Sequence, residues 1–163
     1  NPLAHLDPIG SLMILFVGFG WAKPVPVDGR NLKDPRKDMM KVAAAGPLSN
    51  LLLALMAGLL FRFLNSTQLL TDSLFILLIY FTRINITLAV FNLIPVAPLD
   101  GSQIFSSYLM KKNPTLAWKI QSYGPQVLFG LILFSYVTGF SVLWIIMEPF
   151  VNFFMLLFVG YSM

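Results

Sequence analysis

The sequence predicts an all-α membrane protein: a polytopic transmembrane helix bundle with one proline-broken helix and one short membrane-associated extended segment. The first observation is composition, since 57% of the 163 residues are hydrophobic and only 11% are charged. Soluble domains carry about 25% charged residues. The second is a mean hydropathy of +0.78. The third is a series of long uncharged runs, which are typical of segments embedded in lipid.

Five apolar stretches follow one another along the chain: residues 9–22, 42–61, 69–99, 120–147 and 149–163. The second has the length of about 20 residues that a bilayer-crossing helix needs. Charged residues and two prolines interrupt the third. The last is short for a span, so the sequence leaves open whether it crosses the membrane. We expect a single domain over residues 1–163, with 111–163 forming C-terminal helices.

Basic residues cluster between the first and second stretches and between the third and fourth. Because cytoplasmic loops carry the Lys/Arg excess, loops 22–41 and 101–119 are predicted to be cytoplasmic, in a multi-pass protein of the cell membrane. The uncharged link 65–68 then lies outside. The net charge of +4 indicates contact with lipid headgroups and not with nucleic acid.

A short segment after the first stretch is predicted to be extended. Its prolines forbid a helix and its valines favour a strand. We expect an edge strand or hairpin near the cytoplasmic membrane surface, made of Lys23, Pro24, Val25, Pro26 and Val27.

The most informative segment is 91–101, which ends the third stretch. Pro95 and Pro98 each remove a backbone donor and disfavour helix in the preceding residue. Irregular backbone at membrane depth survives only when protein buries it or a water-filled cavity solvates it. Asp100 follows this break, where a carboxylate is costly unless paired, solvated or metal-bound. The alternative is that Asp100 simply caps a helix starting near Gly101.

Other polar residues in the apolar stretches have two interpretations each. Asn50 is either an interhelical hydrogen-bonding residue or a donor facing a reaction cavity. His5 is the only histidine, and its proline-rich setting favours a local turn over a metal site. Arg83 and Asn85 face either the bundle interior or an extracellular helix end.

Four blocks in order resemble the site-2 protease family of intramembrane zinc metalloproteases, in its compact prokaryotic branch. The resemblance covers about residues 1–110. The blocks are Asn1-Pro2-x-x-His5-x-Asp7-Pro8-x-Gly10, the segment 18–27, Gly46-Pro47-x-x-Asn50, and Asn92-x-x-Pro95-x-x-Pro98-Leu99-Asp100-Gly101.

This resemblance implies a zinc-dependent enzyme whose partners are transmembrane protein substrates and the lipid bilayer. In the family, a HExxH motif on an earlier helix supplies two His ligands and a Glu base. The third Zn²⁺ ligand corresponds to Asp100. Asn50 and Asn92 would support the unwound substrate or the developing oxyanion. The extended segment 23–27 would pair with the substrate as an added strand.

The main departure is that HExxH occurs nowhere in the 163 residues. In the family it lies upstream of the block matching residues 1–10, so we expect the chain to start downstream of that helix. We therefore expect the full-length parent to be the enzyme. This chain alone, with one His, is expected to bind no catalytic zinc and to cleave nothing.

Two other classes remain as alternatives. A non-enzymatic transporter also uses a broken helix with an intramembrane carboxylate, and the chain could be an inactive protease relative. Serine and aspartyl intramembrane proteases fit poorly, because the sequence has no Gly-x-Ser-Gly motif and Asp100 has no evident intramembrane acidic partner. The natural substrate, regulation and oligomeric state are left open.

Overall fold

A computed structural model describes residues 7–8 and 34–160 of the chain. By internal contacts the chain forms two compact units, Asn1–Pro35 and Arg36–Met163. His5 and the extended segment 23–27 lie outside the described residues, so the strand expected there stays a prediction.

The described residues form five α-helices and no strand, which confirms the all-α prediction. Two of them, α1 and α2, are long and apolar enough to cross a membrane, and α4 with α5 adds a third if that bent pair is one span. The helices are α1 (Pro35–Ser66), α2 (Asp72–Asn92), α3 (Asp100–Lys112), α4 (Pro114–Thr138) and α5 (Val142–Phe158).

The connection between α1 and α2 is short, as the sequence predicts. Gln68 has a φ of 59°, a left-handed conformation that turns the chain. Thr71 then caps α2, because its side chain accepts a hydrogen bond from the Leu74 amide at 3.4 Å. Thr is a favoured N-cap residue for this reason.

The last two apolar stretches are divided differently from the sequence expectation. Gly139 ends α4 with a φ of 71°, and Ser141 caps α5 by accepting from the Trp144 amide at 3.2 Å. The two helices are bent by 97° at this break. Pro149 lies inside α5. The glycine and serine provide stop and start signals, whereas a proline inside an apolar helix removes a single backbone donor.

The segment 101–119, which the sequence describes as a loop, is mostly helical. It comprises nearly all of α3 and the start of α4. Asn113 caps α4 by accepting from the Leu116 amide at 3.1 Å. Gln121 of α4 donates to the Ser106 hydroxyl of α3 at 2.9 Å, which fixes the two helices to each other.

The larger hydrophobic core lies where α1, α2 and α5 meet. Its most buried members include Ala54, Ile79, Ile86, Val151 and Met155. The end of α1 is also tied to the end of α5 by Arg62, which donates to the carbonyls of Leu156 and Leu157 at 3.3 and 2.7 Å. A cation at a helix C-terminus offsets the partial negative charge of its unpaired carbonyls.

Gly58 allows α1 and α5 to approach closely. A Cβ at this position would lie 2.9 Å from both the Cβ and the carbonyl oxygen of Phe158. A Cβ at Gly130 of α4 would meet nothing within 4 Å. The two helical glycines therefore form a matched pair, one in close contact and one free of contact.

We expect Gly58→Ala to destabilise the protein and Gly130→Ala to leave it unchanged or more stable. Alanine gains up to about 1 kcal/mol of helix propensity at either site, whereas overpacking costs about 1–3 kcal/mol at position 58 only. Unfolding midpoints in detergent would measure the difference. Equal midpoints for the two variants would show that Gly58 does not limit the α1–α5 distance.

Candidate active site

The helix-breaking segment 93–99 joins α2 to α3 as an irregular loop, as its prolines predict. Its backbone bonds are largely internal: Ile94 donates to Phe91 at 3.1 Å, Val96 to Ile94 at 2.8 Å, and Leu99 to Val96 at 3.0 Å. The Ala97–Pro98 peptide bond is cis. These internal bonds satisfy backbone groups that would otherwise be costly in an apolar setting.

Two glycines hold this loop by close backbone contact. A Cβ on Gly101 would overlap the Leu93 carbonyl group and lie 2.6 Å from the Ile94 oxygen. A Cβ on Gly124 of α4 would lie 2.7 Å from the Cβ of Ala97. Since neither position has room for a side chain, the start of α3 is pressed against the end of α2, and α4 is pressed against the loop.

Asp100 is the first residue of α3, and its carboxylate faces α1. A Cβ on Gly46 of α1 would lie 3.1 Å from the Asp100 Oδ2 atom. The N-cap of α3 is Leu99, which makes no side-chain cap hydrogen bond. Asp100 is therefore not the N-cap residue, so the capping alternative does not account for the carboxylate.

No hydrogen bond or ion pair joins the Asp100 carboxylate to another residue in the described part of the chain. Burial raises the pKa of this carboxyl above its usual value. The carboxylate is thus partly buried, held in place by backbone packing, and available to a ligand.

Asn50 lies one helical turn after Gly46 on α1. Residues four apart share a helix face, so Asn50 is displaced by about 6 Å along the face that Gly46 presents to Asp100. Pro47 between them is fully buried and removes the amide that would bond to the Ala43 carbonyl. The side chain of Asn50 makes no hydrogen bond to another described residue and is partly exposed.

Asn92 is the last residue of α2 and directly precedes Leu93, against which Gly101 packs. Its side chain is partly buried and makes no hydrogen bond within the described residues. The structure thus brings the Asp100 end of the loop back to the Asn92 end, with Gly46 of α1 opposite. The sequence contained both motifs, but their contact becomes visible only in the fold.

The described residues do not complete a zinc site. Among them no group of three or more His, Cys, Asp or Glu side chains could hold a metal ion. Structural and catalytic zinc sites use three or four protein ligands. Asp100 fits the role of one ligand, since its carboxylate is available and an oxygen donor suits zinc, but the remaining ligands are not among the described residues.

Arg83 and Asn85 make structural contacts inside the bundle. The Arg83 guanidinium lies over the Trp144 ring of α5, 5.7 Å from its centroid. Asn85 is buried and donates to the Phe81 carbonyl at 2.9 Å. The interior alternative is therefore correct for Asn85, whereas Arg83 is partly exposed.

The close contact of Gly124 with the loop is a functional feature that was not predicted from the sequence. The available signal was the Gly124-Pro125 pair inside an apolar stretch, which repeats the Gly46-Pro47 pair of α1. Both glycines contact the segment that ends in Asp100. A glycine before a proline in an apolar run therefore indicated close backbone approach at two sites.

Comparison with known proteins provides independent evidence. Residues 65–135 match Peptidase family M50. The chain is 38% identical over 154 residues to "Putative zinc metalloprotease YwhC" of Bacillus subtilis (strain 168), a match that covers 88% of this chain and 67% of the relative. No solved structure gave a significant match. The matched span in the family includes α2, the Asp100 loop, α3 and most of α4.

Proposed function

The chain belongs to peptidase family M50, the site-2 protease family, and on that premise we propose that it is part of a zinc metalloendopeptidase that cleaves transmembrane or membrane-proximal peptide bonds. The observation that carries the proposal is the position of the Asp100 carboxylate. It faces Gly46 of α1 and has no hydrogen-bond or ion-pair partner among the described residues. Burying a carboxylate at the end of a broken apolar helix costs free energy unless a cation binds it, so its presence there indicates a functional site.

In this proposal Asp100 supplies one carboxylate ligand to Zn²⁺. A bound zinc ion lowers the pKa of its water and polarises a carbonyl. Also in this proposal, the amides of Asn50 on α1 and Asn92 on α2 hydrogen-bond an unwound substrate backbone or a developing oxyanion. The segment Lys23–Val27 pairs with the substrate as an added strand, which would hold the scissile bond extended.

We also propose the topology that the charge distribution predicts. Segments 22–41 and 101–119 lie on the cytoplasmic side, and the α1–α2 link lies outside. Lys111 and Lys112 at the end of α3 are exposed, as headgroup contacts require. On this topology Asp100 lies near the cytoplasmic end of α2, so the substrate bond is cut near that membrane surface.

Family membership favours a protease over a transporter. A transporter would use the broken helix and Asp100 to bind an ion or solute without hydrolysis. An inactive relative would keep the fold but lack the remaining zinc ligands. The sequence upstream of Asn1 distinguishes these alternatives, because a HExxH motif within about one helix length supplies the two His ligands on one helix face.

The 163-residue chain by itself is expected to contain far less than one zinc per molecule and to cleave no substrate. Its sequence has one His and no HExxH motif, and zinc sites need at least three protein ligands. Elemental analysis of the purified chain and cleavage of a transmembrane reporter in vesicles would measure both. The control is the longer polypeptide that includes the upstream coding sequence, expected to bind about one zinc and to cleave.

Two results would contradict this picture in different ways. Stoichiometric zinc in the 163-residue chain would mean that its own residues complete the metal site. A longer polypeptide that contains HExxH and zinc but leaves every transmembrane reporter intact would overturn the proposed proteolysis.

A further inference from the structure

A groove of about 280 Å³ lies between the Asp100 loop and α4. The loop contributes Pro95 and Val96, and α4 contributes Lys119, Ile120, Tyr123, Gly124 and Val127. We propose that this groove binds one anionic phospholipid, with the phosphate at Lys119 and an acyl chain along Tyr123 and Val127. This proposal concerns lipid binding and does not rest on the proteolytic function.

The groove has an amphipathic shape that matches a lipid. Lys119, Tyr123 and Val127 are spaced four residues apart, so they lie along one face of α4. Eight residues of helix span about 12 Å. Lys119 therefore lies at one end of the groove, Tyr123 at its middle and Val127 at its other end, which parallels the order of headgroup, interface and acyl chain.

The start of α4 has the features of a membrane interface. Trp118 and Tyr123 are exposed and make an edge-to-face contact with centroids 6.1 Å apart. Exposed Trp and Tyr are enriched at headgroup depth. Lys111 and Lys112 end the preceding helix. In the proposed topology Lys119 lies at the level of lipid phosphates, while Val127 lies deeper, towards the acyl chains.

The charge of Lys119 favours an anionic ligand. Its ammonium forms no ion pair with any residue that the structure describes. The lining of the groove is otherwise almost entirely apolar. A zwitterionic lipid brings its own cation to the site and gains less from Lys119, so the groove is expected to select anionic headgroups.

An unwound substrate peptide fits the groove less well than a lipid. An extended backbone brings an N–H and a C=O at every residue, and each needs a partner in an apolar setting. The loop side offers Pro95, which has no N–H. On the α4 side the helical bonds use the backbone groups, except that Pro125 leaves the Gln121 carbonyl without its amide. An acyl chain makes no such demand.

The test compares lipid binding by the purified chain in detergent, by native mass spectrometry, for phosphatidylglycerol and phosphatidylcholine with identical acyl chains. We expect one phosphatidylglycerol to bind more tightly than phosphatidylcholine. Lys119→Gln should weaken phosphatidylglycerol binding about fivefold, the effect of removing one lysine near a lipid phosphate, and leave phosphatidylcholine unchanged. Lys111→Gln, outside the groove, is the matched control and should change the affinity for phosphatidylglycerol less than about twofold.

A second pair of variants tests the acyl end of the site. Val127→Trp should reduce binding of both lipids by filling the groove, whereas Leu133→Trp at an exposed site on the same helix should not. Equal losses for Lys119→Gln and Lys111→Gln would indicate general lipid contact and overturn the proposal. Unchanged lipid binding by Val127→Trp would also overturn the proposal, as would displacement of bound phosphatidylglycerol by an apolar transmembrane peptide.

Discussion

Asp100→Ala in the full-length parent is expected to abolish cleavage while leaving the bundle folded. The carboxylate is the group that the proposed zinc site takes from this chain, and it makes no hydrogen bond or ion pair with another described residue. Loss of an outer-shell partner of a metal already costs about 10–100-fold, so loss of a ligand should cost more than about 100-fold. Zinc content and cleavage of a transmembrane reporter in vesicles measure the effect.

Two further variants separate charge from shape. Asp100→Asn keeps the side-chain volume against Gly46 but removes the charge, so it should lose zinc and activity almost as completely as Asp100→Ala. Asp72→Asn changes the acidic residue in the first turn of α2 and should keep both. Normal cleavage by Asp100→Ala would remove Asp100 from the active site, whereas loss of folding in Asp100→Asn would make its role structural.

Gly46→Val in the full-length parent is expected to reduce activity strongly with little loss of fold. A Cβ at position 46 would lie 3.1 Å from Asp100 Oδ2, and this is the one described contact within 4 Å. A branched side chain there must push the carboxylate away from its place. A displacement of about 1 Å at a reacting site can cost about 100-fold in rate. The rate constant for reporter cleavage measures the loss of activity in Gly46→Val, with Gly130→Ala as the control.

A double-variant cycle makes this prediction specific. Because Asp100 is the described neighbour of a Cβ at position 46, any stability cost of Gly46→Val should disappear when residue 100 is already alanine. Additive costs would mean that the valine disturbs something else. Full activity of Gly46→Val would mean that α1 does not set the position of the Asp100 carboxylate.

Much of the fold could be predicted from the sequence because it depends on local chemistry. An uncharged run of bilayer length predicts the α1 span at residues 42–61, and Pro95 and Pro98 predict the break after α2. Asp100 follows from the same break, since a carboxylate at that depth is costly. The family followed from four motifs in order, and the comparisons confirm it. The zinc role of Asp100 and the substrate strand at 23–27 stay predictions.

Only the tertiary structure shows which helix faces pack against each other. The sequence does not say that Gly46 faces the Asp100 carboxylate or that Gly124 packs on Ala97. The break at Gly139 also became clear only in the fold, because the sequence places two helix interruptions, Gly139 and Pro149, within one apolar region. Local propensity determines where helices can begin and end, whereas contacts between distant residues depend on how whole helix faces pack.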